Sequence, residues 1–235
     1  GPDLYRSMTG VPSRVELAEK IVARLDAVKC QQLKRIDSVA ETALALSESG
    51  KSRYEFTDCL RQALLDINRP GPVYQELTKL SAPLWLTGTY DSLLAETLNS
   101  RQVFNADDAH PLSNRHRLTV QLLGEVSRPN SLVVLENDYL TLGRAETERK
   151  ELLTYLRNEL GGKLVLFIGC DPSSPDFTLI VNYILEGHLA HTQACGLIVT
   201  AENLPIHLWW NRRRLHSLSM DVLALVRDLA REVNN

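Results

Sequence analysis

The sequence predicts an α/β protein, a Rossmann-like three-layer parallel sheet with a helical N-terminal portion. Three observations carry this expectation. Short apolar runs with no polar alternation, such as "KLVLFIG" at 163–169, have the texture of strands buried on both faces. Those runs alternate with amphipathic helical stretches, the order that builds a parallel sheet covered by helices. The first 80 residues, by contrast, carry helical periodicity alone.

Taken in order, Ser13 and Glu16 have capping-box spacing ahead of an apolar stripe of Val15, Ala18, Val22 and Leu25. A second helix is expected over 36–47. A third opens with another Ser–Glu pair, Ser52 and Glu55, and carries Phe56, Leu60, Leu64 and Ile67. "NRPGP" at 68–72 breaks the helical pattern. From Pro83 the texture changes. Strands are expected at "PLWLT" (83–87), "RLTVQLL" (117–123), "SLVVL" (131–135), 163–169, "CGLIVT" (195–200) and "LHSLSM" (215–220). Helices are expected over 91–98, 146–160, 176–186, 204–213 and 221–231. The chain therefore reads as one domain over 1–235, with a helical portion to residue 80 and an α/β core from 81.

Of the 235 residues 44% are hydrophobic and 23% charged, enough apolar material for one sizeable core. The net charge of -3 gives no general attraction to nucleic acid or an acidic membrane. No apolar run approaches the roughly 20 residues of a membrane span. Cys30, Cys59, Cys170 and Cys195 form no C-x-x-C pair, so neither a zinc site nor a disulfide framework is indicated. A reducing, cytoplasmic setting is the expectation. "GPDLY" opens abruptly, and Gly1-Pro2 has the look of a protease scar, so a domain excised from a larger protein is expected.

In a sheet of this kind a ligand sits at the carboxyl ends of the strands. Three turns should share that crevice: those after Thr87, Leu123 and Gly169. Their residues resemble a known family, the divergent sirtuin-like (silent-information-regulator type) domains of bacterial antiviral defence proteins. The family turn "TTNYD-x-LL" stands here as "TGTYDSLL" (87–94), and "K-L-H-G" as "QLLGEVSRP" (121–129). "E-D-D-Y" stands as "ENDYL" (136–140) and "F-x-G-Y-S-x-x-D-P-D-F" as "FIGCDPSSPDF" (167–177). Upstream, "GVPSRVEL" (10–17) resembles "G-h-P-S-W-x-E-L". The likeness spans nearly the whole chain.

The resemblance implies chemistry on NAD, cleavage of the nicotinamide–ribose bond through an oxocarbenium-like transition state. In the family an asparagine positions water and ribose, a histidine serves the ribose side, and a glycine-rich loop takes the phosphates. Here Thr89 stands at the asparagine and Leu123 at the histidine, and leucine moves no proton. Asp3 puts an anion, and Tyr5 a bulky ring, in the stretch that resembles the phosphate loop. The first strand that precedes this loop in the family is missing. What remains intact is Asp91, Gly124, Gly169, Pro175 and Asp176, residues that keep turns and cap helices. The resemblance therefore implies a fold that survives and a reaction that does not.

Several residues carry two readings. Asp91 can cap the following helix or contact a nicotinamide-like amide. Asp171 can hold ribose hydroxyls or form the turn before Pro172. With Gly169 these are the candidate cofactor-binding residues. His188, His191 and Cys195 resemble a metal cluster only weakly, and no metal site is expected. His110 or His116 could replace the absent histidine, though loop histidines are commonly solvated. "WWNRRRL" (209–215) mixes aromatics and arginines as single-strand binders do, but at helical spacing it reads as packing plus a solvated face. Cys170 has no adjacent histidine to activate it.

Three functions compete. One is a catalytically degenerate interaction or regulatory module, its partners being other domains of a parent protein or a second copy. Another is a sensor of NAD or ADP-ribose without turnover. The last is an active NAD glycohydrolase with relocated groups. A deacylase is disfavoured, because sirtuin deacylases add a zinc module with two C-x-x-C pairs.

Overall fold

The structure is a computed structural model that describes residues 6–24, 39–48, 50, 52–65, 69–109, 117–141, 148–161, 163–170, 177, 181, 182, 184, 196–200 and 215–234. Among the described residues five helices come first: α1 (Arg6–Thr9), α2 (Arg14–Val22), α3 (Val39–Glu48), α4 (Arg53–Leu64) and α5 (Pro72–Leu77). The α/β part follows with β1 (Leu84–Thr87), α6 (Leu93–Leu98), β2 (Arg101–Val103), α7 (Ala106–Ala109), β3 (Leu118–Gln121), α8 (Glu136–Thr141) and α9 (Glu148–Leu160). It ends with β4 (Val165–Ile168), β5 (Gly196–Thr200), β6 (Leu215–Ser219) and α10 (Val222–Asn234).

Both capping boxes form as the spacing predicts. Ser13 accepts from the Glu16 amide while Glu16 accepts from the Ser13 amide, and Ser52 and Glu55 repeat the arrangement at α4. Beyond "NRPGP" the chain starts another helix, α5, with Gly71 at the N-cap and Pro72 at the first helical position. Proline is at home there, since the amide it lacks would have no partner in that turn.

The described strands form two three-stranded sheets, ordered β1-β3-β2 and β4-β5-β6, and every pairing is parallel. Their side chains divide between the same two apolar layers. Leu84 and Leu86 of β1 and Val165 and Phe167 of β4 face a cluster built on Leu152, Leu153 and Leu156 of α9. Trp85, Leu166 and Ile168 face the opposite cluster, which holds Val73, Tyr74 and Leu77 of α5, Leu94 and Leu98 of α6, and Val222 and Val226 of α10. The sheets thus lie in one layer between two layers of helices, the predicted three-layer α/β architecture.

A third cluster joins α2, α3 and α4 to the turns that leave the sheet. Leu17, Ile21, Phe56, Leu60 and Leu64 pack with Tyr90, Leu123 and Leu132–Val134. Tyr90 follows β1 and Leu123 follows β3, so these helices sit against the carboxyl edge of the first sheet. The expected strand at 131–135 is not one. Leu132, Val133 and Val134 are buried, but the segment is irregular after a short 3-10 turn at Pro129–Ser131. Its backbone groups are satisfied individually. Val133 N–H donates to the Leu123 carbonyl, Arg53 donates to the Leu132 carbonyl, and Asp138 accepts from the Val134 and Leu135 amides. Of the expected helices, 176–186 is described only at Phe177, Val181, Asn182 and Ile184, and 204–213 lies outside the described residues.

Asp138 is the polar clamp between α4 and this segment. Arg53 Nη1 lies 2.9 and 3.1 Å from its two carboxylate oxygens. Burial alone would raise its pKa, but the Arg53 guanidinium and the Leu135 and Val134 amides outweigh it and hold the carboxylate below its ordinary value. A depressed carboxylate stabilises the fold above its ordinary pKa, and that contribution fades as pH falls through the lower folded value. Asp138→Asn should therefore cost about 1–2 kcal/mol at pH 7 in denaturant unfolding. The deficit should narrow below about pH 4. A deficit independent of pH would assign the loss to packing.

Candidate functional site

The turn after β1 is closed by its own hydroxyls. Thr87 ends β1, and its Oγ1 lies 2.9 Å from Thr89 Oγ1 and accepts from the Thr89 amide at 3.2 Å. Tyr74, from α5, lies within hydrogen-bonding reach of Thr89, with the Asp91 carboxyl and the Cys170 thiol close by. Burial drives the Tyr74 phenol well above its ordinary value, so it stays neutral. Thr89 is 2% exposed. Its hydroxyl therefore serves the turn it belongs to.

Asp91 is the charged residue of this turn, and it is 9% exposed. Its Oδ1 accepts from the Leu93 amide at 2.8 Å, which fastens the first turn of α6. Gln121, the last residue of β3, reaches across and donates from Nε2 to the Asp91 backbone carbonyl at 3.0 Å. Two acceptor atoms remain buried without a partner here, Asp91 Oδ2 and Gln121 Oε1. Desolvation raises the Asp91 carboxyl above the usual carboxylate range. Hydrogen bonds from the Leu93 amide and Thr89 oppose the rise, and the nearby Glu125 charge adds to it.

The turn after β3 opens with a core residue. Leu123 is wholly buried, in the cluster with Tyr90 and the helices α2 to α4. Gly124 has φ +79°, and a Cβ there would meet the Ser131 carbonyl at 2.0 Å, so only glycine fits. Glu125 is 7% exposed and accepts from Ser127 Oγ at 2.5 Å, and its amide donates to Ser131 Oγ at 3.0 Å. Sequence reasoning missed Gln121 and Glu125. Gln121 is the polar last residue of an apolar strand and Glu125 lies in the turn that follows it, and burial forces both to find partners.

After β4, Gly169 has φ +62° and Cys170 donates weakly to the Ile168 carbonyl at 3.7 Å. The carboxyl ends of β1 and β4 thus meet around Tyr74, which brings Asp91 and the Gly169–Cys170 turn to one place. Asp171 lies outside the described residues, as do Asp3, His110, His116, His188, His191 and Cys195. Among the described residues no cluster of His, Cys, Asp or Glu could hold a metal ion, and no helix is long and apolar enough to cross a membrane. A cavity of about 110 Å³ lies elsewhere, between α3, α4 and Val134–Leu135, and no residue of the crevice turns lines it.

The buried Asp91 carboxylate has a testable cost. Its folded pKa exceeds its unfolded one, so its effect is most favourable below the unfolded value and weakens the fold as pH rises through the folded value. Asp91→Asn keeps the acceptor for Leu93 and removes the charge. Its Tm should exceed that of the parent by about 2–4 °C at pH 8 and lose that advantage near pH 4. A lower Tm at both pH values would contradict the raised carboxyl.

A family model, described as SIR2-like domain, matches residues 83–218, more than half of the chain. No curated protein matches it. The matched span covers both sheets and all three crevice turns, and the parallel α/β architecture accords with it. The chain belongs to the SIR2-like domain family.

Proposed function

We propose that this chain is a catalytically degenerate SIR2-like domain, an interaction or regulatory module within a larger bacterial defence or signalling protein of the cytoplasm. The observation that carries the reading is the burial of Leu123. At the position where the resemblance implies a histidine, the side chain is a core residue packed between the helical lobe and the sheet. Its neighbours there are apolar, among them Leu17, Phe56, Leu60 and Val133. Thr89 supports the same reading, because its hydroxyl is committed to Thr87 and Tyr74. On this reading neither Thr89 nor Leu123 positions water against a ribose carbon.

A second reading, a sensor of NAD or ADP-ribose without turnover, is favoured by one specific observation. Asp91 Oδ2 and Gln121 Oε1 are buried acceptors without partners, and such atoms are stabilised by a donor. A carboxamide N–H₂ group, as on nicotinamide, supplies two. A reactive domain with groups relocated from His110 or His116 ranks third.

The domain incubated with NAD should release no nicotinamide above the blank, as read by chromatography. Release that Thr89→Val abolishes would overturn the degenerate reading. Calorimetric titration separates the first two readings. Heat with NAD that weakens about tenfold in Gln121→Met would favour the sensor, since a buried hydrogen bond contributes on the order of 1 kcal/mol or more. No heat with NAD or ADP-ribose at millimolar concentration would favour the module.

A further inference from the structure

We propose that the cavity between α3, α4 and Val134–Leu135 is a binding site for a small neutral molecule, a branched apolar group of about four carbons that carries a carbonyl or amide oxygen. The cavity has an apolar floor and a polar mouth. Among the described residues the floor is Ala43 of α3, Phe56 of α4 and Val134, all buried, with half-buried Leu135 beside them. None of these side chains donates or accepts a hydrogen bond, so the floor offers a water no polar partner and suits an apolar group. An apolar cavity of roughly 150 Å³ takes a benzene ring. One of about 110 Å³ takes something smaller, a branched aliphatic chain.

The mouth specifies the other end of the ligand. It is formed by Ser47, Ser52 and Arg53, all exposed. Ser52 is committed to its capping box: its Oγ accepts from the Glu55 amide and lies 3.2 Å from Glu55 Oε2. Arg53 makes three hydrogen bonds, two from Nη1 to Asp138 and one from Nη2 to the Leu132 carbonyl. The Nε–H and the second Nη2–H remain as donors at the mouth. They call for an oxygen acceptor. That acceptor is neutral, because the Asp138 carboxylate already balances the guanidinium. Glu55, bonded to Ser52, stands beside the mouth, so a ligand carboxylate would meet two like charges.

A ligand here acts on the joint between the helical lobe and the sheet. The wall residues Val134 and Leu135 follow Val133, whose amide donates to the Leu123 carbonyl, and their own amides donate to Asp138. Occupancy adds apolar contact between α3, α4 and this segment, which is fastened to the turn after β3. It therefore stabilises the lobe on the sheet. No residue of the crevice turns lines the cavity, so the proposal holds whether or not the crevice binds NAD.

The test is an NMR titration of the 235-residue chain with three probes: isovaleramide, its charged counterpart isovalerate, and acetamide, which keeps the amide without the branched chain. Isovaleramide should shift the methyl signals of Ala43, Val134 and Leu135 saturably, with a Kd on the order of 1 mM, and should raise Tm. Isovalerate should bind at least about tenfold more weakly, and acetamide should leave these signals in place. Ala43→Leu fills the floor, and Ser47→Leu closes the mouth from an exposed position that the fold does not depend on. Each should abolish the shifts and the rise in Tm. The proposal is overturned by the absence of a saturable shift with isovaleramide up to about 50 mM. Shifts that survive both substitutions would overturn it too, as would isovalerate binding as tightly as the amide.

Discussion

Much of this molecule depends on the complete burial of β3. It is the central strand of the first sheet, paired on both sides with β1 and β2, and it is shielded on all four residues. A strand in that position has no freedom of register, because a slip by one residue would move Leu118 and Val120 out of their layer. The order it imposes continues past its end. Gln121 holds the Asp91 carbonyl, Leu122 N–H extends the ladder to Thr87, and the Leu123 carbonyl accepts from Val133. Three consecutive residues thereby fasten the crevice turn, the sheet and the irregular 131–135 segment to one another.

The helical lobe makes use of that order. In an open α/β sheet the carboxyl edge is where small ligands enter. Here α2, α3 and α4 lay their apolar faces on Tyr90, Leu123 and Leu132–Val134, all of them downstream of strand ends. The Arg53–Asp138 pair adds a charged clamp to the same contact. Leucine at 123 serves this packing, and its side chain carries no group that could transfer a proton. The polar residues left over gather around Asp91: Gln121 donates to its carbonyl, the Glu125 charge lies near its carboxyl, and Tyr74 is close by.

The sequence made the architecture legible where a physical signal is strong over many residues. Capping boxes at Ser13 and Ser52 and the run at 163–169 appear as expected, because caps and buried strands depend on local chemistry. The segment at 131–135 was misleading for a definite reason. An apolar run reports burial, and burial without a ladder looks the same in sequence. The strand Arg101–Val103 is three residues long and carries a charge, so it leaves no pattern. Helix α5 was announced by Gly71-Pro72, but the same dipeptide also ends helices. At the site, the oddity of Thr89 and Leu123 could be read from the chain. Their burial could not, since it depends on helices more than 50 residues upstream in the case of Leu123. Gln121, a polar residue closing an apolar strand, hinted at a buried partner but not at which one, because that partner is a backbone carbonyl 30 residues away.

The account centres on Leu123 as a core residue at a position that resembles a reactive one. The most direct measurement is the unfolding free energy of Leu123→His, with nicotinamide release from NAD followed on the same sample. Placing an imidazole in that apolar cluster should cost about 2–4 kcal/mol, with a further loss below pH 6 as the ring charges, and should yield no nicotinamide. A variant as stable as the parent that releases nicotinamide would mean that this position still opens on a working crevice.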